Sequence, residues 1–457
     1  MTSVNGWVKK NRRILLIVGA FLSIQLIYLS NATANTPLMD YWYYINDLLP
    51  SLFREGVSFA QLWNNAGIHR SPLQLMFFLV NAKYFHLNIQ LEVYAGAFVI
   101  AATAIILFFY AKAYVLQGGK KQLFWLCATI IFTLYNANQY ELLTEQFALS
   151  YSIRMLLFVL GMMAVDRYVC QYNKRKGSNI EIGCLCFVTV ELVGGGYFPA
   201  YLIAIWSALL VGYFIMSKQN RKEYIKSSLV IVVSGILDII VYLYGVEFSK
   251  GTANYEVSIT KKLYELIIGI LRMWGTCLVG TQTIPAYTTM VGGIFCIISV
   301  ITIYFYCKLK KYEQSVLPIC FYLYSLSVMG LVAVGRSSMY GEEYAFMSRY
   351  TCETNLSIIA MILMLAAVIV NNNRCNRILK RTLCGCLLGI VLCGVFSTVK
   401  EYQIAPYRRE YGMQLIDKMQ RVDELSDSDF DQFQAKEESV RNGIDIMQEY
   451  HLGIFRY

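Results

Sequence analysis

The sequence predicts an all-α protein, a polytopic bundle of transmembrane helices, and two observations support this. The first is that 57% of the 457 residues are hydrophobic and only 15% are charged, whereas soluble domains carry about a quarter charged residues. The second is that the apolar residues form runs close to the roughly 20 residues that a membrane-spanning helix needs. Short basic clusters separate these runs. The chain is therefore built to lie in lipid.

The net charge of +10 follows from the same pattern. Basic clusters between apolar runs are typical of the cytoplasmic loops of membrane proteins, so we expect the lipid bilayer as a partner and no nucleic acid. The thirteen cysteines are odd in number and fall mostly inside apolar runs, which argues against a disulfide framework. The pairs Cys184/Cys186 and Cys384/Cys386 lack further clustered ligands, so we predict no zinc site.

Eleven spans follow from the apolar runs when all basic clusters are kept on one side of the membrane. The predicted spans are 14–30, 91–115, 122–135, 147–169, 182–193, 200–216, 227–246, 287–306, 316–335, 355–370 and 383–399. Basic residues before the first run place the N-terminus in the cytoplasm. The odd number of spans then places the C-terminus on the outer, extracytoplasmic side.

Two further apolar stretches are predicted to lie along the outer membrane surface without crossing it. Residues 73–87 are interrupted by polar side chains such as Asn81 and Lys83, and residues 263–280 carry Glu265 and Arg272. Counting either stretch as a span would move later basic clusters to the outer side, against the usual distribution. The sequence leaves open whether these two stretches cross the membrane.

These predictions divide the chain into a multi-pass domain, residues 1–399, and a C-terminal extracytoplasmic segment, residues 400–457. The first outer loop of the domain covers residues 31–90. The C-terminal segment is polar, with acidic residues in its middle and a helical spacing of apolar residues near 413–419. We expect a small helical cap against the outer face; the alternative is a partly disordered tail.

The first outer loop carries the strongest candidates for a functional site. It is too polar to cross a bilayer but rich in Trp, Tyr and Phe, a mixture that suits the membrane–water interface. Asp40 precedes an aromatic cluster, and His69 and Arg70 follow in the same loop. A carboxylate, an imidazole and a guanidinium at a membrane face could bind a phosphate group and manage a proton. Asp40 also has a simpler interpretation as a helix N-cap.

At these residues the chain resembles the GT-C glycosyltransferases, polytopic enzymes that take a sugar from a polyprenyl-phosphate carrier on the outer side of the membrane. The run His-Arg-Ser-Pro-Leu at 69–73 corresponds to a His-Pro-Pro-Leu stretch in protein O-mannosyltransferases and lipid A aminoarabinose transferases. The chain is also similar to a group of bacterial GT-C-like membrane proteins. This similarity covers the segments Gly-Val-Ser-Phe-Ala-Gln-Leu-Trp at 56–63, Gln-Tyr-Glu at 139–141 and Ser-Arg-Tyr-Thr at 348–351.

The resemblance implies an inverting reaction in a bacterial plasma membrane: transfer of a sugar from a polyprenyl-phosphate donor to a cell-surface glycan acceptor. Asp40 would be the catalytic base that takes the proton of the acceptor hydroxyl. Binding of the donor phosphate or substrate would fall to His69, Arg70, Arg349, Arg336, Tyr350 and Glu141. The acidic pair of many GT-C first loops is not evident, although Asp47 could be its second member. No metal ligands are assigned, and a divalent cation stays open as a cofactor.

Two alternatives share the same topology. A transporter or flippase for a lipid-linked sugar would need the same phosphate-binding residues but no base. Such transporters often contain paired broken helices, whereas this chain has one glycine-broken region, residues 194–199. A polysaccharide polymerase would use a lipid-linked acceptor chain. Nucleotide-driven transport and hydrolase chemistry have no support, because the sequence contains no Walker loop, Rossmann fingerprint or Ser-His-Asp spacing.

Overall fold

The computed structural model describes residues 4–64, 70–116, 123–172, 178–193, 195–246, 259–341, 343–370 and 377–456. The α-helices are α1 Val4–Ala32, α2 Tyr41–Arg54, α3 Phe59–Asn64, α4 Pro72–Phe85, α5 Ile89–Tyr110, α6 Leu123–Leu134, α7 Tyr140–Thr144, α8 Ala148–Cys170, α9 Ser178–Phe187, α10 Phe198–Ile215, α11 Lys218–Leu243, α12 Ile259–Val279, α13 Pro285–Lys308, α14 Leu317–Tyr340, α15 Thr351–Val370, α16 Arg377–Gln420, α17 Asp427–Phe430 and α18 Glu437–Glu449. No strand occurs in these described ranges, so the predicted all-α class is confirmed.

Nine helices in the described part of the chain are long and apolar enough to cross a membrane. The prediction of a multi-pass helical membrane protein is therefore confirmed. The other two predicted spans correspond to shorter helices: α6 has 12 residues, and α9 has 10 residues followed by a six-residue π-helical turn, Val188–Val193. Neither α4 nor α12 is among the nine. The exact number of spans and the orientation of both ends stay predictions.

The bundle is organised around α15. In its most apolar stretch 89% of the residues are buried within the protein, compared with 17% for α16 and 22% for α1. The peripheral helices instead turn large apolar side chains outward, as α11 does with Leu229, Ile236 and Ile240. Such a surface would be unfavourable in water but matches the hydrocarbon of a bilayer. The centre of the bundle is thus a protein core and its rim is suited to lipid.

The longest helix, α16, joins the two predicted parts of the chain without a break. It has 44 residues and includes Pro406, so it is roughly 66 Å long at about 1.5 Å per residue. This length exceeds the hydrocarbon core of a bilayer, about 30 Å, so the helix extends beyond it. The predicted boundary between 399 and 400 therefore falls inside a helix and not at the end of one.

After α16 the chain folds back onto the first loop. We call residues 421–456 the C-terminal cap. In this cap α18 packs along α2, where Asn46 Nδ2 donates to the carbonyl of Ser439 at 2.7 Å and the rings of Phe53 and Tyr450 stack at 4.5 Å. The cap is helical, as expected, and it lies at the same end of the bundle as the first loop.

Candidate functional site

One cavity opens at the end of the bundle where the first loop meets the segments that precede α8 and α15. It encloses about 1020 Å³, counting the part that is open to solvent. Its charged lining residues are Asp40, Glu141, Glu145, Arg154, Arg336 and Arg349. Its aromatic lining residues are Tyr44, Phe147, Tyr151, Tyr197 and Tyr350. Residues from four distant parts of the sequence therefore meet around one polar, partly enclosed space.

Asp40 is the last residue before α2 and lines this cavity. Its side chain is exposed, and it makes no side-chain capping hydrogen bond with the helix that follows. The structure thus places Asp40 at the N-cap position, as the simpler interpretation expected, but its carboxylate is not engaged in capping. The carboxylate faces a space that a ligand could occupy.

Arg349 is held in the cavity by Glu141. Its Nε and its backbone N–H both donate to Glu141 Oε2 at 3.1 Å, and the backbone N–H of Glu141 donates to Ser348 Oγ at 3.0 Å. These three bonds tie α7 to the 3₁₀ turn Ser348–Tyr350, which leads into α15. The Arg349 side chain remains 36% exposed, so a ligand in the cavity can reach a guanidinium whose orientation is already set.

A second arginine lies deeper in the same wall. Arg154 forms a buried ion pair with Glu353, and its Cζ lies 4.2 Å from the ring centre of Tyr151 and 5.0 Å from that of Tyr197. A buried charge of this kind is stable only when it is paired. Arg154 was not among the predicted site residues, although an ionisable residue inside a predicted span is a recognised signal of an interior site.

Glu145 also lines the cavity and was not among the predicted site residues. It follows α7 directly, and its Oε2 is buried without a hydrogen-bond partner in the described part of the chain. Burial, reinforced by the nearby carboxylate of Glu141, raises the pKa of Glu145 to about 8. The group is therefore largely protonated at neutral pH, and it can donate a hydrogen bond to a ligand.

Arg70 takes a different position from the one predicted. Its guanidinium donates to the carbonyl of Tyr244 at 2.6 Å and lies 5.1 Å from the ring centre of Trp63, while its own carbonyl accepts a hydrogen bond from Gly195. The neighbouring residues Ser71 and Gly195 line the cavity, but Arg70 does not. Burial lowers the pKa of Arg70. In this arrangement Arg70 supports the cavity wall from behind.

The structure therefore brings together Asp40, Glu141, Arg336, Arg349 and Tyr350 of the predicted set. His69 lies outside the described residues. Asp47, the proposed second acidic residue, does not line the cavity. The described residues contain no group of three or more His, Cys, Asp or Glu side chains arranged to hold a metal ion.

Fold and site together define a multi-pass helical membrane protein with a polar cavity at one end of the bundle. No family model matches this chain, and no curated protein is significantly similar to it.

Proposed function

We propose that the protein is a membrane glycosyltransferase that transfers a sugar from a polyprenyl-phosphate donor to a cell-surface glycan. One observation carries the proposal: Asp40 lines the same cavity as Arg336 and Arg349. Guanidinium groups bind phosphate oxygens in a planar, two-pronged geometry. A carboxylate at neutral pH can accept a proton from a hydroxyl group. Transfer of a sugar from a phosphate needs both functions within one site.

In the proposed reaction the acceptor hydroxyl loses its proton to Asp40 while its oxygen attacks the anomeric carbon of the donor. The bond between that carbon and the phosphate oxygen breaks, and the polyprenyl phosphate leaves with the electron pair. Arg349 and Arg336 stabilise the negative charge that develops on the phosphate. Phosphate is a good leaving group, so a single base suffices. Attack opposite the leaving group inverts the configuration of the anomeric carbon.

The preorganisation of Arg349 supports this assignment. Its orientation is set by two hydrogen bonds to Glu141 Oε2, so little conformational freedom is lost when a phosphate binds. The rings of Tyr44, Tyr151 and Tyr350 supply apolar surface around a few polar groups, which is the usual composition of a small-molecule site. A sugar presents both hydroxyl groups and apolar C–H faces, and this lining matches both.

The position of the cavity relative to the basic residues supports an outward-facing site. Tyr197, at the start of α10, lines the cavity, so the far end of α10 and the start of α11 lie at the opposite end of the bundle. That opposite end carries the exposed residues Lys218, Lys222 and Lys226. Basic clusters usually face the cytoplasm, and the cavity would then face the outside of a bacterial plasma membrane.

Reconstitution tests the proposal against its rival. The purified protein in lipid vesicles is supplied with polyprenyl-phosphate sugars labelled in the sugar and with candidate acceptor glycans. We expect labelled acceptor and an equal amount of released polyprenyl phosphate. Movement of the labelled donor between the two leaflets would instead establish a transporter, provided that no sugar is transferred to an acceptor glycan on which another glycosyltransferase acts. Transfer only to a lipid-linked acceptor chain would indicate a polymerase.

A further inference from the structure

The backbone turn directly before Asp40 has an unusual conformation. Met39 has a φ of 53°, in the left-handed region that residues with a side chain rarely adopt. Such a conformation persists only where surrounding contacts hold it in place. Two hydrogen bonds from distant parts of the chain do so here. Met39 N–H donates to the carbonyl of Phe433 at 3.1 Å, and Gln146 Nε2 donates to the carbonyl of Leu38 at 2.7 Å.

Phe433 belongs to the C-terminal cap, and the cap also contacts the residues that follow Asp40. The ring of Trp42 is fully buried and meets the ring of Phe433 edge-on, with 5.7 Å between the ring centres. Gly443 of α18 lies against the six-membered ring of the Trp42 indole, where an added Cβ would come within 2.7 Å of Trp42 Cε3. The cap therefore holds the chain one residue before Asp40 and two residues after it.

We propose that the C-terminal cap is a positioning element for the catalytic step. By holding Met39 in the left-handed conformation, the cap directs the Asp40 carboxylate into the cavity. Asp40 makes no capping hydrogen bond of its own, so the backbone of this turn sets its direction. This inference rests on the proposed function, in which Asp40 is the base. The phosphate-binding Arg336 and Arg349 belong to other elements, so the cap acts on transfer and not on donor binding.

The first part of the test does not require a measurement of sugar transfer. Gly443→Leu wedges α18 away from Trp42, and Asn442→Leu is its matched control, because Asn442 is the adjacent residue on the exposed side of the same helix. Amide hydrogen exchange is measured over residues 38–46 in lipid nanodiscs. We expect faster exchange in Gly443→Leu and wild-type exchange in Asn442→Leu. Gly443→Ala, which adds one methyl group, serves if the larger side chain prevents folding. Unchanged exchange over 38–46, with faster exchange in α18, would overturn the inference.

The second part asks whether the cap acts through Asp40. Misplacing a catalytic group by about 1 Å can cost on the order of 100-fold, so Gly443→Leu should lower kcat by roughly 10- to 100-fold and leave the donor KM unchanged. In an Asp40→Asn background the same substitution should have almost no further effect, because the two residues act as one unit. An equal loss in both backgrounds, or a rise in KM alone, would show a general structural role.

The two parts separate this inference from the proposed function. If the wild-type protein transfers no sugar to any acceptor, the proposed function fails and the catalytic role of the cap fails with it. Hydrogen exchange still decides whether the cap holds the turn. If the wild-type protein transfers sugar and Gly443→Leu transfers it at the wild-type rate, only the positioning role is overturned.

Discussion

An acidic side chain lies near each end of α8, and the two side chains differ in their hydrogen bonding. Toward the C-terminal end, the carboxylate of Asp166 accepts hydrogen bonds from Tyr110 Oη at 2.6 Å, from Ser315 Oγ at 3.1 Å and from the backbone N–H groups of Val316 and Leu317. Beside the N-terminal end, Asp40 lies exposed at the cavity without a capping hydrogen bond. Since α8 has 23 residues, its two ends are separated by about 33 Å at about 1.5 Å per residue.

The difference in hydrogen bonding indicates a difference in role. Asp166 accepts hydrogen bonds from the N–H groups at the start of α14, which have no partner within the helix. It also joins that helix to α5 and α8. Both of its carboxylate oxygens accept hydrogen bonds from within the protein. Asp40 makes no capping hydrogen bond, and its exposed carboxylate can accept a hydrogen bond or a proton from a ligand. A saturated acid holds helices together, whereas an unsaturated acid in a cavity can take part in chemistry.

The strongest test of this comparison is the substitution Asp40→Asn. It keeps the size of the side chain but removes the base, and general-base catalysis typically contributes ~10²–10⁴-fold. We expect sugar transfer to fall by that factor while donor binding and the unfolding temperature stay at wild-type values. Asp423→Asn is the control, because Asp423 is an exposed acid of the cap with 99% of its side chain accessible. Transfer at the wild-type rate in Asp40→Asn would assign the base to another residue.

The converse test is Asp166→Ala. Removing this carboxylate leaves several buried donors without a partner, and each such group costs about 1–3 kcal/mol. We expect a loss of at least about 3 kcal/mol in the free energy of unfolding, measured by denaturant unfolding in detergent micelles. Turnover per folded molecule should change little. Equal stability of Asp166→Ala and wild type would contradict the structural role, and Asp423→Ala provides the comparison at an exposed position.

A smaller effect is expected at Arg349, because its guanidinium already donates to Glu141 and would also bind the donor phosphate. Hydrogen bonds to a charged group contribute about 1.5–3 kcal/mol, so Arg349→Ala should weaken donor binding by roughly 10- to 100-fold. Arg349→Lys keeps the charge but loses the planar guanidinium, and it should restore only part of the affinity. Arg421→Ala, at an exposed position, is the control. Wild-type donor saturation in Arg349→Ala would remove this residue from the phosphate site.

The smallest expected effect concerns Glu145 and pH. The pKa of this carboxyl is raised from 4.5 to about 8 in the folded protein, so the folded state keeps a proton that the unfolded state has lost. Between these two pH values stability should therefore fall as the pH rises, and the stabilising contribution is complete only below about pH 4.5. Glu145→Gln should reduce this slope in thermal unfolding, and the exposed control Glu424→Gln should not. The same slope in Glu145→Gln as in wild type would assign the pH dependence to other groups.

Several properties of this protein follow from the sequence alone. The all-α class and the multi-pass character depend on composition and on the length of apolar runs, because a bilayer imposes the same requirement on every spanning helix. The first loop could be singled out for a similar reason, since aromatic and charged residues near a span end are a local pattern. Such a pattern points to Asp40, and the segments 139–141 and 348–351, which carry the resemblance, point to Glu141 and Arg349.

The tertiary structure decided which of these residues meet. Packing placed Glu141 against Arg349, although more than 200 positions separate them, and it turned Arg70 behind the cavity wall. It also buried Glu145 Oε2, paired Arg154 with Glu353 and brought Phe433 to the turn before Asp40. A local pattern cannot determine these contacts, because each depends on which helices pack side by side across the whole bundle. The sequence therefore determined the kind of protein and several candidate residues, and the packing of the helices determined the site.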